Sequence, residues 1–190
     1  PESEIVYTPK LTNATGTITD ISLEGSDAGL FNAEVDEYGM IHLTLAKPGG
    51  EYSIKKTYKV TPEVILLGNE ITGPTLSVKV TQSALKLAKI PNQTVPKSYS
   101  GDLKVSLSVT SPVTAEIGTV KLNAKTTAAL RNALNDAGEI QVSGGTVTFP
   151  AGAFANLKPG KYTVILDVYP KNAASDSKPA QAKFTLTVQK

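Results

Sequence analysis

The sequence predicts an all-β chain made of two tandem β-sandwich domains. Three observations lead there. Two stretches share one plan: Gly49-Gly50-Glu51-Tyr52 running to Pro62, and Pro159-Gly160-Lys161-Tyr162 running to Pro170. Each opens with a glycine turn and a tyrosine, continues as one long alternating strand and closes on proline. Each is followed by a last alternating strand, Leu76-Ser77-Val78-Lys79-Val80-Thr81-Gln82 in one case and Phe184-Thr185-Leu186-Thr187-Val188-Gln189 in the other. Finally, 12 prolines and 15 glycines are scattered between short alternating runs, as turns between strands require.

The first half supplies its elements in order. Residues 4–8 read as a short strand ending before Pro9, and 13–16 as a turn. Thr17 to Leu23 has strand spacing with an irregularity at Asp20-Ile21. Residues 28–35 read as one loose helical turn with Leu30 and Phe31 inward. Asp36-Glu37-Tyr38-Gly39 is a turn. Met40 to Leu45 is a strand with Ile41, Leu43 and Leu45 on one face. In the next strand Tyr52, Ile54, Lys56, Tyr58 and Val60 share a side, with polar residues opposite, which indicates an antiparallel sheet wetted on one face.

Residues 83–101 form the join. Leu85, Leu87 and Ile90 read as the first strand of the next domain, with Pro91 and Pro96 holding the path to a sheet edge. Leu103, Val105, Leu107 and Val109 then alternate with polar residues. Gly118-Thr119-Val120 is matched to Gly16-Thr17-Ile18. Residues 126–135 are the best helix in the chain, with threonine capping residues and Leu130/Leu134 at i, i+4. It ends near Gly138. Glu139 to Val142 is matched to Met40–Leu43, and Thr146 to Phe149 reads as an inserted hairpin. Each half holds roughly seven short strands, the number expected of a sandwich. The expected domains are 1–82, the first shortened at its N-terminal side, and 83–190.

Composition narrows the function classes. Hydrophobic residues are 40% and charged residues 19%, ordinary for a folded chain, while aromatics are 6% with no tryptophan. A net charge of +2, without a basic block, points away from nucleic acid. There are no cysteines, hence no disulfides, thiolate metal sites or thiol nucleophiles. No apolar run approaches the ~20 residues that span a bilayer, so no membrane insertion is expected in this segment. The start, Pro1-Glu2-Ser3-Glu4, reads as part of something longer.

Residues with reactive chemistry are few. His42 is the only histidine, so any Ser-His-Asp triad must use it. It falls out of phase with Ile41 and Leu43, on the wet face, and reads as a surface strand residue. Asp20, Glu24, Asp27, Glu34, Asp36 and Glu37 form an acidic side without a calcium-loop pattern. Tyr52, Tyr58 and Tyr162 share faces with aliphatic residues and read as core or tyrosine-corner residues, whereas Tyr169 falls on the other face. No catalytic, cofactor-binding or metal-binding residue is nominated, and no cofactor is expected.

The pattern Gly-Thr-Val, a turn or short helix, Pro-Gly-x-Tyr-x-Val and a final Thr-Leu-Thr-Val-Gln resembles bacterial immunoglobulin-like repeats of large surface proteins. The resemblance implies tandem immunoglobulin-like sandwiches, extracellular or attached to a cell wall, serving as a non-catalytic spacer or display segment. The expected partners are neighbouring domains of the same polypeptide, or a host or cell-wall glycan or protein. The alternative is a carbohydrate- or protein-binding module. Leu157 to Val164 is also similar to the segment that ends in a catalytic acid in isopeptide-forming pilin and adhesin domains. Here that place is read as Leu166, and as Lys56 in the first half, which argues against an internal isopeptide bond.

Overall fold

A computed structural model describes residues 4–10 and 15–190. Asn13 and Ala14, half of the turn expected at 13–16, lie outside the described residues. The chain divides into two compact units. One holds the described residues through Gln82 with Ala174–Asp176; the other holds Ser83–Ala173 and Ser177–Lys190.

The first unit has two sheets. One has the order β1-β4-β3, from β1 (Ile5–Tyr7), β3 (Phe31–Val35) and β4 (Ile41–Leu45). The other is β2-β5-β6, from β2 (Ile18–Glu24), β5 (Thr57–Leu66) and β6 (Asn69–Thr72), with β7 (Leu76–Lys79) also pairing with β5. Inward residues of both sheets meet in one core that includes Ile18, Phe31, Ile41, Leu43, Tyr58 and Val64. That is a seven-strand sandwich.

Four readings of this unit are corrected. Strand β5 begins at Thr57, so Tyr52 is not in it. Gly49–Glu51 form a 3-10 turn and 53–56 a second turn, yet Tyr52 is fully buried. Asp176, within this unit, accepts hydrogen bonds from Ser53 Oγ and the Ile54 N–H, both at 2.7 Å, and so fixes that second turn. Nor does Pro62 close the strand. It is buried in mid-β5, and the chain opposite it is broken: Glu63 pairs with Thr72 and Val60 with Leu76, so two residues of β5 face three between β6 and β7. A prolyl nitrogen cannot donate, and this bulge accommodates it. Gly73 donates to Pro62 O at 2.7 Å, and a Cβ on Gly73 would meet the proline ring at 2.9 Å. The helical turn expected over 28–35 is a 3-10 turn at Ala28–Leu30 followed by strand β3. The irregularity in β2 lies between Ile18 and Asp20.

The second unit begins with β8 (Lys86–Leu87) and β9 (Gln93–Val95). Then come β10 (Leu103–Ser106), β11 (Val109–Ser111), β12 (Ile117–Leu122), helix α1 (Ala128–Ala137), β13 (Gln141–Ser143), β14 (Thr146–Phe149), β15 (Gly160–Pro170) and β16 (Ala180–Val188). One sheet is β12-β15-β16-β9, the other β10-β14-β13, with β8 against β11. Taking β8 as A and β10–β11 as B, these are A-B-E-D and C-F-G, the two sheets of an immunoglobulin-like sandwich, with β9 added beside G. Val105, Val120, Val147, Phe149, Leu166 and Leu186 fill the space between them. The first unit repeats B-E-D and C-F-G, and counterparts of β8 and β9 are not among its described residues.

Strand pairing corrects the expected matches between halves. Leu43 pairs with Ile5 as Phe149 pairs with Leu103, so β14 is the counterpart of β4 and no insertion. Strand β13 matches β3. Tyr58 pairs with Val78 as Tyr162 pairs with Leu186, so Tyr58, not Tyr52, is the partner of Tyr162. Val120 opposite Val168 then matches Ile21 opposite Val64, not Ile18.

Helix α1 buries Leu130 and Leu134 and ends at Gly138, whose φ of 118° favours glycine. Its threonines do not cap it. Thr127, at the N-cap, makes no capping bond; its hydroxyl accepts the Thr163 N–H at 2.9 Å. Thr126 Oγ1 accepts the Ile165 N–H at 3.0 Å and donates to Ile165 O at 3.1 Å. The two hydroxyls lace the start of the helix to β15. Thr126→Val leaves the Ile165 N–H without a partner and will lower stability by about 2 kcal/mol, measured by chemical denaturation.

Candidate functional site

The densest group of titratable side chains is on the wet face of the sheet β1-β4-β3. His42 sits mid-β4, between buried Ile41 and Leu43, and the pairing puts Val6 on one side of it and Glu34 on the other. Asp36 opens the turn into β4. Its Oδ1 accepts the Tyr38 N–H at 2.9 Å and the Met40 N–H at 2.8 Å, which leaves Oδ2 3.1 Å from His42 Nε2. Glu4 Oε1 is 2.6 Å from His42 Nδ1.

A carboxylate that is ionised only accepts, so the form of the ring that satisfies both contacts is the imidazolium, with both nitrogens donating. The hydrogen bond to Asp36, then that to Glu4, holds the histidine above its usual range; His42 and the Met40 N–H hold Asp36 below its own. An imidazolium with both protons engaged is no general base. The one triad candidate in the sequence is spent on bridging β1, β4 and their turn.

The pH dependence follows. A raised histidine pKa stabilises the folded form fully below the unfolded value, near 6.5, and this is lost as pH rises through the folded value. Hydrogen exchange at Ile5–Tyr7 will therefore quicken, beyond the intrinsic pH dependence of amide exchange, as pH rises from about 6.5 through the folded value. In His42→Gln that extra acceleration will be absent.

Asp27 and Asp20 hold local structure in the first unit. Asp27 is buried; its Oδ1 takes Lys56 Nζ at 2.8 Å and its Oδ2 the Lys59 N–H at 2.9 Å. Lys56, then the Lys59 N–H, holds it below the carboxylate range. Lys56 also lies over the Tyr58 ring, 4.7 Å from its centroid. Asp20 accepts the Ile21 N–H. Burial, then Glu70, pushes Glu63 up. Among the described residues no group of His, Cys, Asp or Glu is arranged to hold a metal ion.

Tyr52, Tyr58 and Tyr162 are in the cores, whereas Tyr38 is exposed. Tyr52, Tyr58 and Phe31 form a cluster with ring centroids 5.7–6.1 Å apart. Tyr58 Oη accepts the Ser53 N–H at 2.6 Å, and Tyr162 Oη donates to Lys158 O at 2.6 Å. The second is a tyrosine corner at the start of strand F. No tyrosine of the three offers a ring face to a sugar.

Pairing also moves the place expected for an isopeptide acid. Leu166 keeps it in the second unit, but its match in the first is Pro62, not Lys56. Neither is an acid, and the partners of Asp27 include no second carboxylate. The intact mass will equal the sequence mass, with no loss of water or ammonia.

The second unit has an open cavity of about 680 Å³, lined by Leu107, Val109, Val113, Ile117 and Val142 together with the Glu116–Lys171 ion pair, 2.7 Å. Its volume is that of a small-molecule site. Its two charged groups, however, satisfy each other. Sequence reading missed both this cavity and the partners of His42.

No protein-family model matches the sequence, and no curated protein sequence does. Among solved structures the chain is similar to domains 4 and 5 of the S-layer protein SbsC, at 16% identity and TM-score 0.34, over 95% of this chain and 75% of that one. It is similar to the protocadherin GammaB4 extracellular domain at 15% and 0.37, over 98% and 34%. It is similar to an I-band fragment of titin at 13% and 0.32, over 98% and 60%. The chain thus spans little more than half the length of that titin fragment. The fold of each unit is read from its own strand pairing, and these likenesses carry no functional argument.

Proposed function

We propose that the chain is a non-catalytic structural or adhesive segment of a larger bacterial protein, extracellular or attached to the cell wall. Its domains, 1–82 and 83–190, act as immunoglobulin-like spacer or display modules. Their partners are neighbouring domains of the same polypeptide. The bacterial surface setting is supported by the sequence resemblance to immunoglobulin-like repeats.

The observation that supports a mechanical role is the parallel pairing of β9 with β16. A strand near the start of the unit running the same way as its last strand brings the chain in at one pole of the sandwich and out at the other. Tension between the ends then shears several hydrogen bonds at once instead of peeling them singly. Single-molecule pulling tests this. The second unit will resist force strongly, and Gln93→Pro, which removes an N–H that faces β16, will weaken it. A low unfolding force unchanged by Gln93→Pro would sink the reading.

The alternative, a carbohydrate- or protein-binding module, has one observation in its favour, the open cavity beside Lys171. Reproducible binding on a glycan array, lost in Lys171→Ala, would decide for it.

A further inference from the structure

The parallel ladder between β9 and β16 advances two residues at a time. Gln189 gives its N–H to Val95 O at 3.0 Å. With Thr187 opposite Thr94, the acceptor one step upstream is Gln93 O. One step further, the Thr185 N–H would meet Pro91 O. Pro91 O instead accepts Gln93 Nε2 at 2.8 Å, and the Thr185 N–H is met by Asn92 Oδ1 at 2.9 Å. Pro91 also has no N–H to give, so it cannot prolong the main-chain ladder as a donor either. The side chain of Asn92 thus adds one link beyond the end of β9. The segment is pinned on both sides of that link, since Ile90 and Val95 are each 3% exposed in the core.

We propose that Asn92 sets the resistance of the second unit to tension, through its amide oxygen on the Thr185 N–H. It has this role only if the unit bears tension, as proposed above. Force entering from the β8 side reaches β9 through Pro91 and Asn92, and leaves β16 through Gln189. The two end links, Asn92 to Thr185 and Val95 to Gln189, are therefore strained first. Because β9 and β16 run parallel, the links between them must lengthen together with the end ones. Asn92 is itself exposed, so it acts through this bond and not through burial. A side-chain amide here does what the carbonyl of Pro91, turned toward Gln93, does not.

Constant-force unfolding of the 190-residue chain tests this, with events of the second unit identified by their longer gain in contour length. Asn92→Ala will unfold about tenfold faster than the parent at the same force, the rate equivalent of one hydrogen bond lost ahead of the barrier. Asn92→Asp keeps an acceptor oxygen in place and will unfold no faster than the parent. Thr126→Val is the comparison. It lowers stability in denaturant, but its bonds to Ile165 persist while β9 shears away, so its rate under force will be the parent's. An Asn92 that only supported the fold would behave like Thr126. The proposal is overturned if Gln93→Pro speeds unfolding and Asn92→Ala does not, or if Asn92→Asp is as fast as Asn92→Ala. A parent that yields at low force, unchanged by Gln93→Pro, overturns the mechanical reading and the role of Asn92 with it.

Discussion

Tyr58→Ala will destabilise the first unit by about 4 kcal/mol, the cost of emptying an aromatic site in a closed core. Tyr58 is 1% exposed. It meets Phe31 and Tyr52 edge-on, at 5.7 and 5.9 Å and 73° in both cases. Three aromatic rings fill a core otherwise built of Ile, Leu and Val, and removing one leaves no neighbour flexible enough to occupy its volume. The hydroxyl adds a separate contribution, because without it the Ser53 N–H loses its acceptor. Tyr58→Phe will therefore cost about 1–2 kcal/mol. Urea denaturation followed by hydrogen exchange in β2 and β5 measures both. A domain of this size has about 5–15 kcal/mol in hand, so the alanine variant approaches unfolding. A cost under 1 kcal/mol would mean that Tyr58 is not the centre of this core.

Leu166→Ala will cost the second unit about 3 kcal/mol. Leu166 is 0% exposed and central in β15, between Leu122 on β12 and Ala182 on β16. Ala182 is too small to move into the space, so the cavity persists. Leu166→Glu installs the acid that isopeptide-forming domains carry at this place, but with no cation beside it. An unpaired buried carboxylate costs more than a cavity, so this variant will be less stable than Leu166→Ala. Thermal melts of the two variants, compared directly, check the order.

What the sequence disclosed depended on how local the cause was. Strand β15 was legible from end to end, because alternation through eleven residues leaves one phase, and β16 was legible from Phe184 although it begins at Ala180. The phase of Tyr52 misled, because a turn held by Asp176, far along the chain, lies between Tyr52 and β5. Pro62 misled because proline normally ends a strand, and the bulge that tolerates it is supplied by the segment between β6 and β7, at Gly73. The length of α1 shifted the match between halves, so that β14 looked inserted. The threonines before α1 carried a true helix-start signal, but β15 competes for their hydroxyls. For His42 part of the signal was present: the turn at Asp36 and the wet-face phase put both residues on one surface. Glu4 was not legible, since only the pairing of β1 with β4 brings it near.

The bulge at Pro62 and Gly73 also has a bearing on solubility. It divides the outer rim of that sheet into two pieces of four residues, β6 and β7, offset by one residue from each other. A continuous rim of nine or so residues would be a template for stacking copy upon copy into fibrils. Two short rims out of step cannot seat a long strand. The unit thus closes this rim to indefinite growth.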